Sequence, residues 1–114
     1  MILDGGKVNG KQIVSPETIE LMTRPQTGDL KTGFTDGMCF GLSWAVVKEP
    51  KGVTSMLSSG TFGHGGAYGT QGWVDPRKKM IFVLMIQRAG LRNADASPIR
   101  QAFQEAAVAA ISEK

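Results

Sequence analysis

Four apolar side chains, Phe40, Leu42, Trp44 and Val46, alternate with Gly41, Ser43, Ala45 and Val47. A period of two places one set on a single face of an extended chain, so the spacing predicts a strand with one strongly apolar face. Further strands are expected within Ser59 to Gly66 and over roughly Tyr68 to Val74. Glu49-Pro50-Lys51-Gly52 reads as a turn, and Asp75-Pro76 opens another that Arg77 to Lys79 complete. Met80 to Ile86 is apolar on both alternating faces, which predicts a central strand covered on both sides. Near the end of the chain the period changes. Ile99, Phe103, Ala106, Ala107, Ala110 and Ile111 recur at helical spacing, and Ser97-Pro98 marks that helix's start. Ser15-Pro16-Glu17 marks another start: serine caps N–H groups, proline suits the first helical position, and the acid favours the positive end. This first helix should run to about Met22 or Thr23 and bury Ile19 and Met22. Asp4 to Gly10 is turn-rich, and Arg24 to Met38 reads as loop. The connections between strands are too short for parallel crossovers. The expected fold class is therefore α+β: an antiparallel meander sheet of three or four strands, with the Ser97–Ile111 helix across one face.

Composition narrows the partners. With 114 residues the chain is expected to form one domain, 1–114, with a modest core. Thirteen basic and ten acidic residues leave a net charge of +3. The basic cluster Arg77-Lys78-Lys79 lies in a turn without interleaved aromatics, so a nucleic-acid partner is not expected. Cys39 is alone, which excludes an internal disulfide and a cysteine metal cluster. One histidine and one cysteine do not make a zinc ligand set, and no metal or cofactor is expected. No apolar run approaches the roughly 18 residues of a membrane span. The opening Met-Ile-Leu-Asp-Gly-Gly has no basic region or cleavage-site pattern, so no signal peptide is expected in this chain.

The chemistry concentrates between Ser58 and Trp73. This stretch holds the single histidine, His64, and the single tyrosine, Tyr68, among six glycines. A titratable ring beside a Gly-Gly pair on a strand brings backbone N–H groups close to a bound molecule, because glycine has no Cβ. On the residues alone, His64 is either a substrate contact or a strand histidine satisfied by neighbouring backbone. Gly65 and Gly66 either admit a ligand or allow a bulge or tight packing. Tyr68 lines a pocket rim or packs. Trp44 and Trp73 are expected in the core, Cys39 as a small, partly buried thiol, and Ser97 as a helix cap.

Several segments, in order, carry a resemblance. They are Asp4-Gly-Gly-Lys-Val-Asn-Gly-Lys-Gln-Ile-Val-Ser-Pro-Glu-Thr, Phe40-Gly-Leu-Ser-Trp-Ala-Val, Gly63-His-Gly-Gly-Ala-Tyr-Gly-Thr, and Pro76 with Met80 to Ile86. Together they resemble the serine β-lactamase, penicillin-binding protein and esterase superfamily, whose third active-site motif often reads His-x-Gly rather than Lys-Thr-Gly in its class C-like and esterase branches. The resemblance implies a partial β-lactamase-like fold and acyl transfer on esters, β-lactams or D-amino-acid peptides. It implies a catalytic role for His64 and a substrate-binding role for Gly65, Gly66, Ala67 and Tyr68, with the Ala67 N–H as one oxyanion donor.

One departure is as informative. The family's nucleophile sits in Ser-x-x-Lys, where lysine helps deprotonate serine. No serine of this chain has a lysine three residues on, and the Tyr-x-Asn or Tyr-x-Ser motif is also missing, since Tyr68 precedes Gly69-Thr70. Lys31-Thr32-Gly33 spells the third motif of penicillin-binding proteins but lies in a polar loop with no strand and hairpin after it. The chain thus resembles the C-terminal third of a serine hydrolase, expected to be inactive alone. The alternative is a non-catalytic domain that binds a partner or its own copies. In the family the strand matching Met80–Ile86 is flanked by one from the N-terminal part, so a homo-oligomer or a complementary N-terminal segment is expected on it. Members of the family it resembles are often periplasmic or secreted.

Overall fold

Residues 1–32 and 35–112 are described by the structure, a computed structural model. A 3-10 turn at Ile2–Asp4 leads into a small hairpin of β1 (Lys7–Val8) and β2 (Lys11–Gln12). Helix α1 (Pro16–Thr23) begins as its sequence dictates: Ser15 Oγ accepts the Thr18 N–H at 3.2 Å. Ile19 and Met22 on it are half-buried.

Five strands then follow in chain order and in spatial order: β3 (Met38–Phe40), β4 (Ala45–Val47), β5 (Phe62–Gly65), β6 (Gln71–Asp75) and β7 (Met80–Leu84). Every neighbouring pair is antiparallel. A 3-10 turn at Gly52–Thr54 lies between β4 and β5, and helix α2 (Pro98–Ser112) closes the fold. The α+β meander with a C-terminal helix is thus present, with five strands rather than three or four.

The extra strand comes from the Phe40–Val47 stretch. It is a hairpin and not one strand: Phe40 faces Ala45, and the Gly41 N–H donates to the Trp44 carbonyl at 2.8 Å. Ser43 takes a positive φ of 65° at the turn, and Leu42 projects into solvent at its tip. The alternation is real, but a tight reversal leaves a period of two looking unbroken. Gly41 is required there, because a Cβ would stand 2.6 Å from the Met22 carbonyl oxygen at the end of α1.

The sheet has two unlike faces. On the inner face Ala45, Gly63, Trp73 and Phe82 form one cross-strand row. Met38, Ala45, Val47, Leu57, Trp73, Met80 and Phe82 pack there against Phe103, Ala107 and Val108 of α2. Trp73 is in the core as expected, and truncating such a residue costs on the order of 3–5 kcal/mol. The outer face carries a smaller cluster of Cys39, Val46 and Phe62, covered by Ile2, Trp44 and Val74. Trp44 is half-buried and meets Phe62 edge to face at 5.8 Å. Cys39 is wholly buried rather than partly so, and burial pushes its thiol up.

Two further expectations are corrected. The strand at Met80 is not central: among the described residues β7 ends the sheet, paired only to β6. Met80 and Phe82 are buried, while Ile81 and Val83 are 60% and 58% exposed, because α2 covers the inner face alone. On α2 the buried side includes Arg100 and Gln104, both wholly inaccessible, beside Phe103 and Ala107. Ala106, Ala110 and Ile111 of the apolar stripe point to solvent. Hydropathy alone places the stripe; the partner beneath the helix, Trp73, accepts a guanidinium and so shifts the buried side toward Arg100.

Candidate functional site

Strand β5 carries His64 and Gly65, and Gly66, Ala67 and Tyr68 follow it directly. On one side β6 pairs along the whole strand, from Phe62 opposite Val74 to Gly65 opposite Gln71. On the other side β4 pairs with Phe62 and Gly63, and its Val47 bonds Gly60 and Thr61 just before the strand. Past that pairing the strand continues through His64 and Gly65. It lines a groove of about 290 Å³, formed by His64, Gly65, Gly66 and Ala67 on one wall and the Leu91–Asp95 loop on the other.

His64 is exposed on the outer face, in the cross-strand row with Gly72 and Val83. Its Nδ1 lies 2.7 Å from the Gly65 carbonyl oxygen. A carbonyl only accepts, so in the neutral ring Nδ1 carries the proton and Nε2 presents the lone pair. The ring is tilted 38° to Phe40 at 6.1 Å between centroids.

After Gly65 the chain turns. The Gly66 N–H donates to the Thr70 carbonyl at 2.8 Å, and the Gly69 N–H to the Gly66 carbonyl at 2.9 Å. Gly69 holds a φ of +93°, and a Cβ on it would crowd Leu91 and Ile86. Ala67 and Tyr68 stand exposed at the tip. The turn's far side, with Met85, Ile86 and Gln87, lines a second concavity of about 550 Å³. Gly66 and Ala67 are therefore shared by two hollows, and Tyr68 lies in the second but not in the groove beside His64.

Beneath the strand lies a polar layer that reading the sequence missed. A Cβ on Gly65 would overlap Asp95 Oδ1, so the bare Cα packs directly on that carboxylate. Asn93 Oδ1 accepts the N–H groups of Asp95 and Ala96, both at 3.1 Å, and turns the loop toward α2. Ser97 Oγ accepts the Arg100 N–H at 3.3 Å, the cap expected of it. The Arg100 guanidinium lies 3.9 Å from the Trp73 ring centroid and donates to the Asp95 carbonyl at 2.7 Å and to Gln104 Oε1 at 3.1 Å. Burial pushes Arg100 down to about 10, against the pull of the Asp95 charge. Trp73 Nε1 donates to Gln71 Oε1 at 2.7 Å, and Gln71 Nε2 to the Ala94 carbonyl at 3.1 Å. The only local signal for this layer was a charged residue, Arg100, amid an apolar helix.

His64, Gly65, Gly66 and Ala67 thus lie together on one wall, and the arrangement can hold a flat or extended group against exposed backbone. Of the Lys31-Thr32-Gly33 segment, Gly33 lies outside the described residues. Lys31 contributes to a separate hollow with Asp36, Lys51 and Gly52, away from His64. No helix among the described residues is long and apolar enough to cross a membrane.

Protein Rv1367c of Mycobacterium tuberculosis is 33% identical over 107 residues, covering 85% of this chain and 27% of that protein. An uncharacterized protein, MT1414, from a second strain of that organism matches to the same extent. This chain therefore spans about a quarter of the length of these relatives. The β-lactamase family model matches residues 3–107, from the first turn to the middle of α2, with the His64 strand inside it: the chain belongs to the β-lactamase family.

Proposed function

We propose that this chain supplies one wall of the acyl-transfer site of a serine hydrolase of the class C-like, His-Gly-Gly type, of which it is the C-terminal part. The observation that carries this reading is the groove lined by His64, Gly65, Gly66 and Ala67, two of whose four residues bear no side chain. The acyl carbonyl of an ester, β-lactam or D-amino-acid peptide lies against Gly65 and Gly66, where no Cβ intervenes. The Ala67 N–H is one oxyanion donor, worth a few kcal/mol in the transition state. His64 contacts the substrate or hydrogen-bonds into the serine–tyrosine network of the complete enzyme, and Tyr68 borders the site from the turn. The 114-residue chain alone does not turn over, because no Ser-x-x-Lys supplies a nucleophile with its base.

The test has two arms. The isolated chain is treated with a fluorophosphonate probe and assayed with a chromogenic cephalosporin and a nitrophenyl ester; stoichiometric labelling of any serine sinks the claim of inactivity. In a longer parent chain, His64→Ala should lower the acylation rate while the fold is kept, and unchanged kinetics would return His64 to a structural role.

A second reading rests on β7. Its outward edge is unpaired among the described residues, and nothing between Met80 and Ile86 offers a charge or proline to block another strand. Ile81, Val83 and Met85 stand exposed beside it. This edge accepts a second copy of the chain or a complementary N-terminal segment.

A further inference from the structure

We propose that Arg100 is a positioning residue for the site wall: through Asp95 it holds the Gly65–Ala67 backbone in place from beneath. The inference deepens the acyl-transfer reading and rests on Gly65–Ala67 being the substrate wall. Three contacts join the helix to the strand. Arg100 Nη1 binds the Asp95 carbonyl at 2.7 Å, its guanidinium is pinned over Trp73 at 3.9 Å, and the Asp95 carboxylate supports the Cα of Gly65. A parallel route runs from Trp73 through Gln71 to the Ala94 carbonyl, and Gln71 faces Gly65 across the ladder.

The composition of this layer argues for position over stability. Asp95 Oδ1, Arg100 Nη2 and Gln104 Nε2 are buried with no hydrogen-bond partner among the described residues, and Arg100 is wholly inaccessible. Burying charges this way is costly, and apolar residues of similar volume often give an equal or more stable fold. What a methionine cannot do is bind the Asp95 carbonyl or balance its carboxylate. Without Arg100 the buried Asp95 charge is uncompensated, so the Leu91–Asp95 loop swings toward the groove and Gly65 loses its support.

Hydrogen exchange on the 114-residue chain tests this without any activity assay. The reporters are the Gly66 and Gly69 N–H groups, bonded to the Thr70 and Gly66 carbonyls, and the reference is the Val47 N–H, bonded to the Thr61 carbonyl at 2.7 Å. In Arg100→Met, Gly66 and Gly69 should exchange about tenfold faster while Val47 keeps its rate, the pattern of local opening. Adding Asp95→Asn to that variant removes the stranded charge and should restore most of the protection. Arg100→Lys keeps the charge without the planar fork, and it should fall between wild type and Arg100→Met. Unchanged reporters, an equal rise at Val47, or unfolding of both Arg100→Met and Arg100→Lys would each overturn the proposal, the last two by showing that Arg100 serves the whole fold. Because no outcome depends on acylation, failure here is distinct from failure of the substrate-wall reading, which the His64→Ala kinetics decide.

Discussion

The carboxylate of Asp75, wholly buried at the end of β6, accepts the backbone N–H of Ser58 at 2.9 Å and so ties the β6–β7 turn to the loop before β5. The same carboxylate accepts the N–H groups of Arg77 at 3.1 Å and Lys78 at 2.9 Å within its own turn. Burial pushes its pKa up, but the Lys78 and Ser58 N–H groups outweigh that and hold it below its ordinary value. A carboxyl depressed by folding contributes stability above its unfolded value, near pH 4, and the contribution is lost as pH falls through the lower folded value. The chain should therefore lose stability below about pH 4. Asp75→Asn should cost about 2–3 kcal/mol at neutral pH and flatten that acid limb, because an amide turned toward Ser58 leaves a donor facing a donor. Urea midpoints from pH 2 to 7 for both proteins check this; parallel acid limbs would show that another carboxylate is responsible.

Gly65 and Gly72 lie on adjacent strands and should respond in opposite ways to the same substitution. A Cβ on Gly65 would overlap Asp95 Oδ1 and stand 2.6 Å from Gln71 Nε2, whereas one on Gly72 meets nothing within 4 Å. Gly65→Ala should destabilise by roughly 1–3 kcal/mol through overpacking. Gly72→Ala should be neutral or stabilise by about 0.5 kcal/mol, since it limits the unfolded chain without strain. Denaturant midpoints of the two variants decide it, and equal losses would mean that Gly65 does not rest on Asp95.

The β7 edge predicts self-association. Light scattering at micromolar concentration should find species larger than a monomer, and Val83→Lys should restore the monomer. Because Val83 is 58% exposed, that substitution should change stability by no more than about 0.5 kcal/mol. A clean monomer for the unmodified chain, with slow exchange across Met80–Ile86, would show that the edge is protected.

His64 is exposed on the outer face, and its Nδ1 bond is to the adjacent Gly65. His64→Ala should thus shift the stability of this chain by no more than about 0.5 kcal/mol. A loss of several kcal/mol in thermal melts would show that the ring is structural and would remove the basis for reading it as a functional group.

Much of this protein was legible in its sequence, and the rest was not, for a physical reason. Caps at Ser15 and Ser97, the strands around His64, Trp73 and Phe82, and the antiparallel meander follow from local signals: side-chain period, turn chemistry and short connections. The candidate wall His64–Ala67 was legible because glycines beside a titratable ring have a local steric meaning. Local period does not say what lies across from a residue. It could not show that Gly41–Trp44 reverses the chain, that β7 ends the sheet, or that Arg100 faces inward. Those features were decided by tertiary contacts: Gly41 against the end of α1, β6 as the one partner of β7 among the described residues, and Trp73 beneath the guanidinium of Arg100. The support of Gly65 by Asp95 belongs with them, since the two meet only once β5 and the loop before α2 pack together, and a contact between residues distant in sequence leaves no periodic trace along the chain.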